Sequence, residues 1–434
     1  MASLSRWNRT RWCAMVAAGA LILTMGWGGM ARAAEPVLKK GARLAIAGDS
    51  ITQQKLYSAY IETYLLACRP DLDVRVMQLG WGGETAPGFL ARMDYDLLSW
   101  KPDVVTTCYG MNDGGYRAYS NTIGETYFKA MSNIVAQIKA AGGTVVVGSP
   151  GVVDSFTYKR GNTNNLATVY NDNLAQLGEL DRKLAADNGF PFADVHGTMM
   201  TVMVAAKAAR SNEYAVAGRD GVHPGENGHL LMASAFLKAL GMDGDVGTIT
   251  LKWNGSATAT IGHEILSVSN GVVELESSRY PFCFPAASTN GDGVASILPF
   301  ASFQHDFNRL TLVVKGLPGD RAEVKWGPSA KVFTKAQLEA GVNLAAEFLD
   351  NPFSAPFEQV MTAVKNKQAF ETRMIKRQFR GQRDAIGKDA AQAEAMTKQR
   401  DALLADHATQ TEAARAMVKP VRHQIQILTL PAGR

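Results

Sequence analysis

Between residue 35 and about residue 242 the chain alternates short apolar runs with stretches of helical periodicity, and this alternation restricts the architectures open to it. Residues 43–47, 73–79, 103–109, 144–148 and 190–195 read as strands. Between them, apolar side chains recur at the spacing of one helix face. They are Leu56, Tyr60 and Tyr64; then Tyr127, Met131, Ile134 and Ile138; then Leu166, Tyr170, Leu177, Leu180 and Leu184; and last Met232, Phe236 and Leu240. Strands separated by helix-length segments have no short turn with which to pair antiparallel. The spacing therefore predicts an α/β unit, a parallel sheet covered by helices on both faces.

The pattern changes near residue 245. Residues 248–253, 272–275 and 310–314 read as strands, set off by Asn-Gly signals at 254–255, 270–271 and 290–291 and by Pro-Gly at 318–319. From about 335 helical periodicity returns. Residues 335–349 read as one segment, closed at Asn351-Pro352. Residues 357–418, rich in Ala, Gln, Lys, Arg and Glu, read as a helical hairpin docked on the rest, because so polar a helix is marginal alone. A chain of 434 residues exceeds one core. The expected division is an α/β domain at 35–244, a small β-rich region at 245–334 and a helical extension at 335–434.

Residues 1–34 read as an export signal. Arg6, Arg9 and Arg11 precede an apolar run of about residues 15–27, and Ala31-Arg32-Ala33 has the small residues of a cleavage site. The run is short and glycine-rich for a membrane span, so the expectation is an exported protein without stable membrane insertion. Removing the segment's four arginines lowers the formal charge from +5 to +1, which leaves no general attraction to nucleic acid. Cys68, Cys108 and Cys283 are too few and too scattered for a disulfide framework or a zinc site, and read as buried thiols.

Four short segments at strand ends carry candidate chemistry. Gly48-Asp49-Ser50 follows the first strand and opens a helix, which puts a hydroxyl beside unpaired backbone N–H groups. Asp220 and His223, in Asp-Gly-Val-His-Pro, are spaced to turn toward one point just before a helix. An imidazole there can take a serine proton while the carboxylate fixes its tautomer. Gly110-Met111-Asn112-Asp113 offers a side-chain amide, and Gly82-Gly83-Glu84-Thr85 an unobstructed backbone N–H, as donors to a developing oxyanion. Each piece also has a plainer reading as a helix cap or a turn. Asp49 and Asp113 read as hydrogen-bond partners of these segments, and Trp81, Tyr109 and Tyr116 as pocket or core-edge residues. His196 and His229 read as packing or capping residues and not as metal ligands beside His223.

Taken in order, serine, glycine, asparagine and aspartate–histidine, this set resembles the GDSL/SGNH hydrolase family over roughly residues 42–241. The resemblance implies a flavodoxin-like three-layer α/β/α fold. It implies Ser50, Asp220 and His223 as a catalytic triad and the Ser50 N–H, Gly83 N–H and Asn112 amide as the oxyanion hole, with Gly80 and Gly82 open as alternatives to Gly83. It implies no metal or organic cofactor. The expected activity is hydrolysis of a short acyl ester, acetyl on carbohydrate foremost. A longer-chain lipase or lysophospholipase, acyl transfer to a sugar, and a glycan-binding module on a hydrolase-like scaffold stand as alternatives.

Overall fold

The computed structural model describes residues 37–159, 166–253 and 255–431; the segment read as an export signal lies outside them. Five strands form the first sheet: β1 (Arg43–Gly48), β2 (Arg75–Gln78), β3 (Val104–Cys108), β4 (Thr144–Gly148) and β5 (Phe192–Ala193). Their order is β2-β1-β3-β4-β5 and every pair is parallel. Alternate residues feed two cores, as a strand's period of two requires. Leu44 and Ile46 pack with Tyr57, Ile61, Leu230 and Phe236, while Ala45 and Ala47 pack with Tyr127, Met131 and Leu177. The sheet is thus sandwiched between helices, the three-layer arrangement expected.

Strand order reverses at β1. Open α/β sheets leave a crevice at such a point, outside the carboxyl ends of the strands. Gly48 pairs in register with Cys108, and Ile46 with Gln78, so β1, β2 and β3 end nearly level and deliver their following loops to one place.

Two further sheets follow. One has the order β13-β10-β6-β7, from β6 (Asp245–Lys252), β7 (Ser256–Ala259), β10 (Arg309–Lys315) and β13 (Val342–Asn343). The other has the order β12-β11-β14-β9-β8, from β8 (His263–Ser269), β9 (Val272–Ser277), β11 (Arg321–Trp326), β12 (Ser329–Thr334) and β14 (Val421–Thr429). Asn270 and Gly271 both take positive φ and close the β8–β9 hairpin in two residues, the geometry that favours Asn-Gly.

Some elements differ from the sequence reading. Leu166 is exposed and caps the helix Ala167–Asn188 instead of joining its apolar stripe. Residues 335–349 are two short helices, Lys335–Ala340 and Leu344–Glu347, parted by Gly341 at φ +106 and by β13. The helix Val195–Ala209 has no clear stripe in the sequence, because apolar residues such as the exposed Val204 blur its face. The helical region does not run to the end of the chain. After the helices Ser354–Arg373, Arg380–Lys388 and Ala393–Arg415, the chain returns as β14 between β9 and β11. No described helix is long and apolar enough to cross a membrane.

Candidate active site

Ser50 stands two residues beyond the end of β1, at the start of the short helix Ser50–Gln53. Asp49 caps that helix, its Oδ1 accepting the Ile51 N–H at 2.9 Å. The turn needs glycine before it: a Cβ on Gly48 would lie 2.1 Å from Thr52 Oγ1 and 2.9 Å from the Cys108 carbonyl. Ser50 Oγ lies 2.8 Å from His223 Nε2, and His223 Nδ1 lies 2.7 Å from Asp220 Oδ2. The other Asp220 oxygen accepts the backbone N–H groups of Val222 at 2.9 Å and His223 at 2.8 Å. Burial pushes the Asp220 carboxyl up, but the bonds from His223 and Val222 outweigh it and hold the group below its ordinary value. The loop that carries the pair rests on Gly218, where a Cβ would fall 1.7 Å from the His223 carbonyl. An imidazole that gives Nδ1–H to a carboxylate presents an Nε2 lone pair to the hydroxyl, which is the arrangement needed to take its proton.

The loop after β2 brings glycines beside the hydroxyl; a Cβ added to Gly82 would lie 3.9 Å from Ser50 Cβ. The Gly80 N–H is engaged by Gln78 Oε1 at 3.1 Å and the Gly82 N–H by Gln53 Oε1 at 2.6 Å. Gly83, at φ +74, makes no backbone N–H bond among the described residues, and neither does Ser50. Of the three glycines considered, Gly83 is thus the one with a donor to spare. Asn112 gives one amide N–H to the Glu84 carbonyl at 3.0 Å. Its other contact, 3.5 Å to Asp49 Oδ2, is at the long limit of a hydrogen bond and yields readily to a better acceptor.

Buried carboxylates tie these loops together. Asp113 accepts the Ala86 N–H at 2.8 Å and the Gly110 N–H at 3.0 Å, which fastens the Gly83 loop to the Asn112 loop. Burial raises its carboxyl to about 6, and raises that of Asp49 to about 7. Glu84 takes two bonds from Arg92, at 2.6 and 2.7 Å, and one from the Tyr109 hydroxyl at 3.0 Å. Arg92 also reaches Asp96 at 2.9 Å and the Leu79 carbonyl at 2.7 Å. Trp81 is half-buried, with the Arg92 guanidinium 5.0 Å and the Lys376 ammonium 5.2 Å from its ring centre.

Several residues of this environment make partnerships that the sequence does not signal. Tyr116 donates its hydroxyl to Asn112 Oδ1 at 3.1 Å from a left-handed backbone, φ +56. From the C-terminal helices, Arg383 pairs with Asp96, Lys376 bonds Gln53 Oε1 at 2.9 Å, and Glu371 accepts the Gln78 N–H at 3.0 Å. They lie roughly 290 or more positions from their partners, so no local pattern links them. His229 is buried against the Tyr57 N–H and Gln54, and burial lowers it to about 3; His196 contacts the Gly151 carbonyl and Ser149. Among the described residues no His, Cys, Asp and Glu cluster is arranged to hold a metal ion, and Cys68, Cys108 and Cys283 are buried free thiols.

Residues 46–231, the stretch that holds every loop just described, match the model of the GDSL-like Lipase/Acylhydrolase family. This stretch is a GDSL-like lipase/acylhydrolase domain. The GDSL-like domain also has a curated relative, an acetylxylan esterase of Geobacillus stearothermophilus. It is 25% identical over 225 residues, which cover 47% of this chain and 95% of the relative. Family and relative together make the protein a carboxylic ester hydrolase. A solved structure of a gut microbial diltiazem-metabolizing enzyme aligns with 90% of this chain and 98% of its own at 23% identity and a TM-score of 0.68. That is a likeness of fold, and it extends beyond the GDSL-like domain into the C-terminal sheets and helices. A structure of the acetylxylan esterase itself aligns over 47% of this chain and 96% of its own at 22% identity and a TM-score of 0.40.

Proposed function

We propose that this hydrolase is an exported enzyme that removes short acyl groups, acetyl foremost, from carbohydrate esters, with Ser50 as nucleophile. The supporting observation is the unbroken contact series from Ser50 Oγ through His223 to Asp220, at 2.8 and 2.7 Å. Ser50 Oγ attacks the ester carbonyl carbon as His223 Nε2 takes its proton. Negative charge then gathers on the carbonyl oxygen, where the N–H groups of Ser50 and Gly83 and the Asn112 amide receive it. Collapse of this intermediate expels the alcohol, which leaves with the proton from His223, and Ser50 keeps the acyl group. Water, deprotonated by His223, repeats the attack, so the acid departs and the serine hydroxyl is restored.

The choice of acetyl on carbohydrate rests on the relative that carries that activity in its name. Export rests on the composition of residues 1–34. The test is acetate release from an acetylated xylooligosaccharide, beside a series of p-nitrophenyl esters from acetate to palmitate. The expected result is acetate release and a rate that falls with chain length, both abolished in Ser50→Ala. A maximum at palmitate would make the enzyme a long-chain lipase, and activity retained by Ser50→Ala would remove the nucleophile.

A further inference from the structure

We propose that Lys55 and Lys376 form an anion subsite beside Ser50, and that the natural ester is carried on a glycan bearing sugar carboxylates. This inference rests on the carbohydrate-ester reading above and specifies its substrate class.

The two ammonium groups converge on one residue. Lys55 Nζ bonds the Gln53 backbone carbonyl at 2.7 Å, and Lys376 Nζ bonds Gln53 Oε1 at 2.9 Å. Gln53 closes the short helix that Ser50 opens, and the same Oε1 accepts the Gly82 N–H at 2.6 Å. Lys376 is therefore two hydrogen bonds from a glycine that lies against Ser50.

Neither lysine has a carboxylate partner among the described residues, whereas three nearby arginines do. Arg92 faces Glu84 and Asp96, Arg383 faces Asp96, and Arg380 lies 3.9 Å from Asp384. Each lysine is half-buried and spends one of three donors on a neutral oxygen. Burial and the nearby Lys376 charge both push the Lys55 ammonium below its ordinary value. Two like charges held together with incomplete hydration favour an anion between them.

The backbone around the pair is also irregular. Lys55 is held at φ +59, a left-handed conformation uncommon for a long side chain. Lys376 lies in a π-helical stretch, Met374–Phe379, between two regular helices; such insertions recur at functional sites. A substrate carboxylate would meet the lysines while its ester lies at Ser50.

The test compares kcat/KM for an acetylated oligogalacturonide, which carries a carboxylate on each sugar, with that for a neutral acetylated xylooligosaccharide. The expected result is at least about a tenfold preference for the acidic substrate at low salt, shrinking as salt is raised to about 0.5 M. In Lys55→Met/Lys376→Met, which keeps the apolar stems, the ratio falls toward one. Should that variant not fold, the salt dependence of the unmodified enzyme still decides. Equal kcat/KM on both substrates at low salt, a preference indifferent to salt, or a preference kept by the folded double variant would overturn the subsite. Hydrolysis of neutral p-nitrophenyl acetate separates this failure from failure of the esterase reading, since that small ester reports on the Ser50 chemistry and has no anion for the lysines to hold.

Discussion

Glu371, near the C-terminal end of the helix Ser354–Arg373, accepts the backbone N–H of Gln78 at the end of β2. Gln78 passes the contact on. Its Nε2 donates to the Thr52 carbonyl at 2.6 Å and its Oε1 accepts the Gly80 N–H at 3.1 Å. Behind Glu371 lie Lys367, also 3.1 Å from Glu62, and His407, whose Nε2 is 2.7 Å away; all four side chains are buried. The C-terminal helices thus buttress both the nucleophile helix and the glycine loop. Substitution of Glu371 by Ala strips Lys367 and His407 of their shared carboxylate. Glu62 still faces Lys367, so the cost is that of leaving buried donors unsatisfied, about 1–3 kcal/mol, and urea unfolding is expected to show a loss of that size. A change below about 1 kcal/mol would mean that the cluster does not hold the helices to the sheet.

Tyr116 and Asn112 are expected to act as one unit. The Tyr116 hydroxyl fixes the Asn112 carbonyl end and so turns the amide N–H groups toward Glu84 and the site. Asn112→Ala should lower kcat by roughly 10²–10³ with the fold intact, as loss of an oxyanion donor does. Tyr116→Phe should cost about 1 kcal/mol of transition-state stabilisation, the worth of one hydrogen bond. In the Asn112→Ala background the tyrosine substitution should cost almost nothing further. Additive losses in kcat would show that Tyr116 acts elsewhere.

These partnerships mark the boundary of what was legible in the sequence. The strand-ending glycines and the order of Ser50, Gly83, Asn112, Asp220 and His223 lie in short local motifs at strand ends, where spacing alone brings them to notice. Short apolar runs and the helical period identify the parallel sheet, because its central strands are buried on both faces while its helices bury one. The partners of Lys376 and Glu371 come from the far end of the sequence, and the contact of Tyr116 with Asn112, four residues away, depends on a left-handed turn at Tyr116; these links are visible only once the chain has folded. β14 was hidden for a related reason: it follows a long polar helical region, and its partners β9 and β11 are more than ninety residues earlier.

Asp49 should give the fold a pH dependence of a definite sign. Burial lets its carboxyl keep a proton to about pH 7 in the folded chain, against an ordinary value of 3.8 when exposed. Between those values the folded state holds a proton that the unfolded state has lost, so this group's contribution makes stability fall as pH rises. Asp49→Asn retains an oxygen for the Ile51 N–H and cannot ionise. Its stability relative to the unmodified protein should climb by up to about 1.4 kcal/mol per pH unit from pH 4 to 7. Unfolding curves at a series of pH values measure this difference; a flat difference would mean that Asp49 is ionised throughout.

The most direct test of Ser50 as nucleophile is covalent labelling of the folded enzyme with a fluorophosphonate, followed by peptide mapping. One adduct is expected, on Ser50, formed more slowly in His223→Ala and absent from Ser50→Ala. An adduct on a different serine, or undiminished labelling of the folded Ser50→Ala variant, would contradict it.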